Sequence, residues 1–240
     1  MPLHEKGLPV AGGPFSPNLS GLPLVLFLLV IALHLWLVWV GSFPGDRWAL
    51  RQGFAPHPGW VRDYASFFQH LGTPPVAIAL VAVALVVLAR SGLLAAALGL
   101  LIACCAVPLN AILKLVLGPS PVWSAAYHGG HNYPSGHTTF VVAVVGYLGV
   151  IAWRHERRWL AIVAALLVAG VGPARVVTGI HLVSDVVGGY LLGTAMLLVA
   201  LRVVTGAAGV AGAAGAGGGA AAMAAGARAA WSAVPRRSRR

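Results

Sequence analysis

The chain has 240 residues, of which 59% are hydrophobic and only 9% charged, and its mean hydropathy is +0.86. Soluble domains carry about 25% charged residues, so the composition excludes a soluble globular protein and indicates an integral membrane one. The net charge of +11 does not mark a nucleic-acid partner: the arginines stand in short loops and a tail between apolar runs and form no basic stripe interleaved with stacking aromatics.

Residues 1–21 are polar and rich in Pro and Gly, and read as a disordered cytoplasmic start. Leu22–Val40 is the first spanning run, close to the roughly 20 apolar residues that cross a bilayer, and is too long for a cleaved signal peptide. His34 within it reads as a packing or interhelical hydrogen-bonding residue. Residues 41–73 form a long loop dense in aromatics (Trp48, Phe54, Trp60, Tyr64, Phe67, Phe68), which fits a segment lying at the membrane interface. Asp46 and Asp63 in it read as surface carboxylates.

Further spans are expected over 74–89, closed by Arg90; over 93–117, with Pro108, Asn110 and Lys114; and over 136–153, 159–177 and 181–204. The adjacent Cys104 and Cys105 provide no disulfide framework and read as small packing residues. From Thr205 the chain is an Ala/Gly tract with a basic end, a low-complexity appendage. The expected architecture is therefore an all-α polytopic bundle of six transmembrane helices over 22–204, flanked by the segments 1–21 and 205–240. Six spans place both ends on one side. With the Arg90 loop and the Arg154, Arg157, Arg158 turn cytoplasmic, Lys114, Ser135–His137 and Arg175–His181 all meet at the outer face.

Polar groups are expensive at the hydrocarbon zone and mark function there. Those three clusters have the chemistry of a phosphate site. His181 and Asp185, four apart at a helix start, share a face. The carboxylate fixes the imidazole tautomer, leaving the other ring nitrogen to attack. Arg175 offers a planar fork for phosphate oxygens. Ser135 and Gly136 precede a helix, whose free N–H groups and dipole favour an anion. His137 stands where it can protonate a leaving alkoxide, and Lys114 adds a point charge. A zinc reading of His128, His131 and His137 fails for want of a nearby carboxylate or thiolate. The five acids of the chain do not supply a two-metal site. No metal or other cofactor is expected.

These residues resemble the type 2 phosphatidic acid phosphatase family, the membrane branch of a superfamily that includes vanadium haloperoxidases. Of its three signatures, Pro-Ser-Gly-His is complete at Pro134–His137. Ser-Arg-x5-His-x3-Asp appears from Ala174 through Arg175 and His181 to Asp185, with alanine for the leading serine. In Lys-x6-Arg-Pro, Lys114 is kept but Pro121 and Val122 replace the arginine and proline. The resemblance implies a nucleophilic His181 that forms a phosphohistidine, oriented by Asp185, with His137 as the acid. It implies Lys114, Ser135, Gly136 and Arg175 as phosphate ligands. His128 or His131 could stand in for the arginine missing at Pro121. The implied activity is a metal-independent hydrolysis of a lipid phosphomonoester or polyprenyl pyrophosphate at the outer face of a membrane. The Ala/Gly-rich composition points to a bacterial plasma membrane. A lipid phosphotransferase of the same fold is one alternative, because a phosphohistidine can be captured by an alcohol, and a non-catalytic lipid-binding protein is the other, which the altered first signature leaves open.

Overall fold

The computed structural model describes residues 21–119 and 132–206, excepting the side chains of residues 53 and 54. The chain divides into two compact units. Leu19–Val203 holds the bundle. Residues 1–18 with 204–240 form the other unit, of which only the end of the last helix is described. Among the described residues every regular element is a helix: α1 (Leu22–Val40), α2 (Asp46–Phe54), α3 (Gly59–Leu71), α4 (Pro74–Arg90), α5 (Leu94–Cys104), α6 (Ala106–Leu117), α7 (Gly136–Arg154), α8 (Arg158–Val177) and α9 (Val183–Gly206).

Five of these stretches are long and apolar enough to cross a membrane: α1, α5 with α6, α7, α8 and α9. A sixth is reached when α4 and α3, joined across a 62° bend, are counted as one span. At 17 residues, α4 alone is about 26 Å long, short of a hydrocarbon core of roughly 30 Å. The break between α5 and α6 falls at Cys105. Pro108 has no N–H to offer the Cys104 carbonyl. Trp39, Leu115, Val116 and Ile78 are exposed on the outside of the bundle, as lipid-facing side chains must be.

The stretch expected as a loop over 41–73 contains two short helices, α2 and α3. Its aromatic density hid a helical period. Ala65 and Phe68 of α3 are buried while Trp60 and Phe67 stay exposed. Phe68 packs on Gly170 of α8, where a Cβ would lie 2.5 Å from the ring. Tyr64 donates its hydroxyl proton to the Gly170 carbonyl.

The centre of the bundle is α7. Every residue from Thr138 to Val145 is buried, and Val141–Val145 make a wider π turn, a feature frequent at functional sites. Its close partner is α9. A Cβ on Gly189 would lie 2.8 Å from Thr138 Cβ and 2.9 Å from the Ser135 carbonyl oxygen. A Cβ on Gly193 would lie 2.7 Å from Val142 Cβ. Two glycines four apart thus let the two backbones touch, the small-residue packing of membrane helices.

Pro173 interrupts α8 and deprives the Ala169 carbonyl of its helical donor. Tyr190 of α9 enters the gap. Its hydroxyl lies 2.7 Å from the Val168 carbonyl oxygen and 3.3 Å from that of Ala169, and it accepts from Gly172 N–H at 3.3 Å. The repaired helix runs one short turn further and ends just beyond Arg175.

Candidate active site

The Pro134–His137 turn is fixed from three sides. Tyr133 is fully buried. Its hydroxyl donates to the Val30 carbonyl at 2.6 Å, and its ring lies 5.4 Å from that of His34. Burial holds the phenol pKa above its ordinary value. Asn110 of α6 donates from Nδ2 to the Pro134 carbonyl and to Thr139 Oγ1, each at 3.1 Å. The Ser135 amide donates to the Asp185 carbonyl at 2.9 Å. That last bond corrects the expectation of a free Ser135 N–H for an anion: the amide is committed to α9. The Ser135 hydroxyl is buried and accepts from Thr138 Oγ1 at 3.1 Å, which leaves its own proton to give. Gly136 opens α7 as expected.

Histidine 137 is half-buried, and its Nε2 lies 3.1 Å from the Gln69 carbonyl oxygen. A carbonyl only accepts, so Nε2 carries the hydrogen and Nδ1 is the nitrogen left for exchange. The end of α3 presses on this ring: a Cβ on Gly72 would lie 2.1 Å from His137 Cδ2.

Both His181 and Asp185 are buried. His181 Nδ1 lies 3.2 Å from Asp185 Oδ2. The carboxylate accepts, so Nδ1 bears the hydrogen and Nε2 keeps its lone pair. The sequence placed His181 inside a helix start, whereas α9 begins at Val183 and the pair closes through the cap. Asp185 is the third residue of α9 and also accepts from Leu182 N–H at 3.1 Å, reaching back to the helix start as the acidic member of a capping box does. Burial, the dominant effect, lowers the His181 pKa, against a smaller upward pull from Asp185.

Arg175 is buried, and its Nε and Nη1 have no hydrogen-bond partner among the described residues. Its carbonyl accepts from His181 N–H at 3.3 Å and from Thr178 Oγ1 at 2.9 Å. Lys114, half-buried in α6, Arg175, His137 and His181 lie close enough to act on one another electrostatically. The residues from the three clusters therefore gather at one end of the bundle. Arg90 and the Arg154–Arg158 turn, where Arg158 covers the Trp153 ring at 5.5 Å, close the opposite helix ends.

Asp46 was expected at the surface and is fully buried. Its Oδ1 accepts from Ser184 N–H and its Oδ2 from Phe43 N–H, both at 2.9 Å. Ser184 is the second residue of α9, so Asp46 caps the helix that carries the His181–Asp185 pair. Burial pushes its carboxyl pKa up, and the two donors pull it back. Asp63 is exposed. Sequence reasoning also passed over Asn110, whose signal was a polar residue four before Lys114 in an apolar run.

Among the described residues no three His, Cys, Asp or Glu side chains gather as a metal site, and Cys104 and Cys105 are free. Pro121, Val122, His128 and His131 lie outside the described residues, as do residues 1–20 and 207–240 of the two terminal segments.

No curated protein matches the chain. The fold is similar to a crystal structure described as the first transmembrane PAP2 type phosphatidylglycerolphosphate phosphatase from Bacillus subtilis, at 21% identity and a TM-score of 0.58, over 76% of this chain and 95% of that one. The model of the PAP2 superfamily matches residues 80–208, more than half of the sequence and the whole of α5 to α9, and the chain belongs to that superfamily.

Proposed function

We propose that this protein hydrolyses a lipid phosphomonoester or pyrophosphate through a phosphohistidine on His181, without a metal. The observation that carries the proposal is Arg175. A buried guanidinium with two unsatisfied nitrogens costs about 1–3 kcal/mol per donor, and it sits beside the His181–Asp185 pair. An anion with two oxygens facing that fork repays the cost.

In the first step, His181 Nε2 attacks phosphorus and the bond from phosphorus to the lipid oxygen breaks. His137, charged, gives its proton to that oxygen and the lipid alcohol (or lipid phosphate, from a pyrophosphate) leaves. In the second step water attacks the phosphohistidine, His137 takes a proton from it, the phosphorus–nitrogen bond breaks and inorganic phosphate leaves. Asp185 holds the His181 tautomer and stabilises the charge the ring gains. Arg175, Lys114, the Ser135 hydroxyl and the Gly136 amide hold the phosphoryl oxygens, a reaction in which positioning and charge carry most of the catalysis. Phosphatidylglycerolphosphate, the substrate named for the structural relative, is one candidate within this class; phosphatidic acid and polyprenyl pyrophosphates are others. The basic turns at Arg90 and Arg154–Arg158 favour a site facing outward from a bacterial plasma membrane.

Phosphate release from these lipids in detergent, with EDTA present, tests the reading. The wild type turns over, His181→Ala does not, and a labelled substrate leaves an acid-labile, alkali-stable phosphoenzyme on the wild type. Turnover abolished by EDTA, or retained by His181→Ala, overturns it.

A further inference from the structure

The run Gly72-Thr73-Pro74-Pro75 stops α3 at Leu71 and starts α4 at Pro74. Proline has no N–H, and it forces the residue before it out of the helical region. Thr73 is accordingly extended, at φ −70° and ψ 146°. The last carbonyls of α3 thereby lose their helical donors. Thr73 N–H, which a continued helix would aim at Gln69, bonds the His70 carbonyl instead at 3.0 Å. The Gln69 carbonyl is left for a partner beyond the helix, and it lies 3.1 Å from His137 Nε2.

The same turn sets the space around the ring. Gly72 has φ −94° and ψ 4°, a conformation that other residues adopt in turns. Its side-chain hydrogen is needed for close approach: an added Cβ would lie 2.1 Å from Cδ2, 2.6 Å from Cγ and 2.8 Å from Nε2 of His137. The carbonyl end of a helix is also its negative end, a favourable neighbour for an imidazolium. One turn back, α3 is anchored on α8, where Tyr64 donates to the Gly170 carbonyl and Phe68 packs on Gly170. The seat of His137 and the helix that carries Arg175 therefore belong to one frame.

We infer that the Gln69–Gly72 end of α3 is the positioning element for His137, holding Nε2–H on the Gln69 carbonyl so that Nδ1 is the nitrogen that passes the proton to the departing oxygen. The proton leaves Nδ1 for the oxygen that keeps the electron pair of the broken phosphorus–oxygen bond. The ring stays neutral, with its remaining hydrogen on Nε2. The inference rests on the phosphatase reading above for what the proton does, and on α3 alone for how the ring is held.

The test is the full chain in detergent with two substrates: phosphatidic acid, whose alcohol needs a proton to leave, and p-nitrophenyl phosphate, whose phenolate leaves without one. The quantity compared is kcat/KM, which covers only the steps up to that departure. A placed acid contributes about 10²–10⁴ in rate. Gly72→Ala is expected to lower kcat/KM on phosphatidic acid by about 10²-fold, and by much less on p-nitrophenyl phosphate. In a His137→Ala background the same substitution adds no further loss, because it acts through the ring. An equal loss on both substrates, a loss that persists in the His137→Ala background, or no loss at all overturns the inference. Nitrogen NMR of the histidine-labelled chain, at a pH where the ring is neutral, reads the seat without turnover. The wild-type His137 is expected to carry its hydrogen on Nε2, and Gly72→Ala to mix the two tautomers. A hydrogen on Nδ1 in the wild type overturns the inference even where Gly72→Ala does not fold. A hydrogen on Nε2 in a chain that turns over neither substrate upholds the seat while the phosphatase reading fails.

Discussion

The amide of Ser135 donates to the carbonyl of Asp185 at 2.9 Å, a backbone bond between the turn that opens α7 and the first turn of α9. It joins the two most complete signatures of the sequence directly, with no side chain between. His137 on α7 and His181 ahead of α9 are therefore set in one register by main-chain geometry. What permits the approach is the pair Gly189 and Gly193 on the facing side of α9.

Gly189→Ala puts a methyl group 2.8 Å from Thr138 Cβ and 2.9 Å from the Ser135 carbonyl oxygen. The helices must separate, and overpacking of this kind costs about 1–3 kcal/mol. The expected outcome is a lower Tm in detergent together with a fall in kcat, because the same displacement strains the Ser135–Asp185 bond. Gly21→Ala, with no atom within 4 Å of its added Cβ, is the matched control. A normal kcat in Gly189→Ala would show that the close contact does not set the register.

Asp185→Asn preserves shape but replaces the acceptor of His181 Nδ1–H and of Leu182 N–H with an amide. The imidazole then loses the group that selects its tautomer, a change that costs about 10⁴ in kcat where the same pairing serves a serine nucleophile. A drop of roughly 10³ to 10⁴ in kcat is expected, with KM little altered, read by phosphate release. His181→Ala should fall to the same floor, because the two residues act as a unit.

The pH dependence follows from burial of His181, which lowers its pKa below the ordinary value of about 6.5. Arg175 and Lys114 add to the lowering, while Asp185 opposes it. In the proposed reaction a neutral ring attacks, so the acid side of the rate profile is expected below that of a free imidazole. Folding carries the same sign: the unfolded chain takes up this proton first, so the ring's contribution to stability falls as pH drops through about 6.5 and below. Titration of the histidine-labelled protein by NMR, with the His181 signal assigned from His181→Gln, should give a midpoint below 6.5. A midpoint at or above it contradicts the burial argument.

How much of this was legible in the sequence follows the range of the interactions. Six helical runs, and the polar groups at their ends, are visible because a bilayer demands long apolar stretches and makes each exception conspicuous. His181, Asp185 and Arg175 share local spacing, so their neighbourhood could be read directly. Asp46 could not: its partners are Phe43, near in sequence, and Ser184, on the last helix, and nothing local distinguishes it from the exposed Asp63. The same holds for the Gln69 carbonyl, a backbone group with no sequence signature, and for Ser135, whose amide seemed free until α9 was placed beside it. The helices inside 41–73 were obscured because aromatics drew attention to composition when the period of Ala65 and Phe68 held the information.

Asp46 gives the last prediction. It is fully buried, sits outside the reacting groups, and its two oxygens serve one N–H each, on the α1–α2 turn and on α9. Asp46→Ala strands two donors, and each buried donor left unpaired costs about 1–3 kcal/mol. A general loss of stability alone would be a structural effect. The position of Ser184, next to Asp185, requires more: with its cap gone, the first turn of α9 loosens, and the His181–Asp185 pairing loosens with it. The expected outcome is a Tm reduction accompanied, well below the melting range, by a kcat loss that exceeds any change in KM, with Asp46→Asn recovering part of both because it keeps one carbonyl acceptor. If Asp46→Ala melts earlier but turns over at the wild-type rate at low temperature, the carboxylate only holds the bundle together and does not position His181.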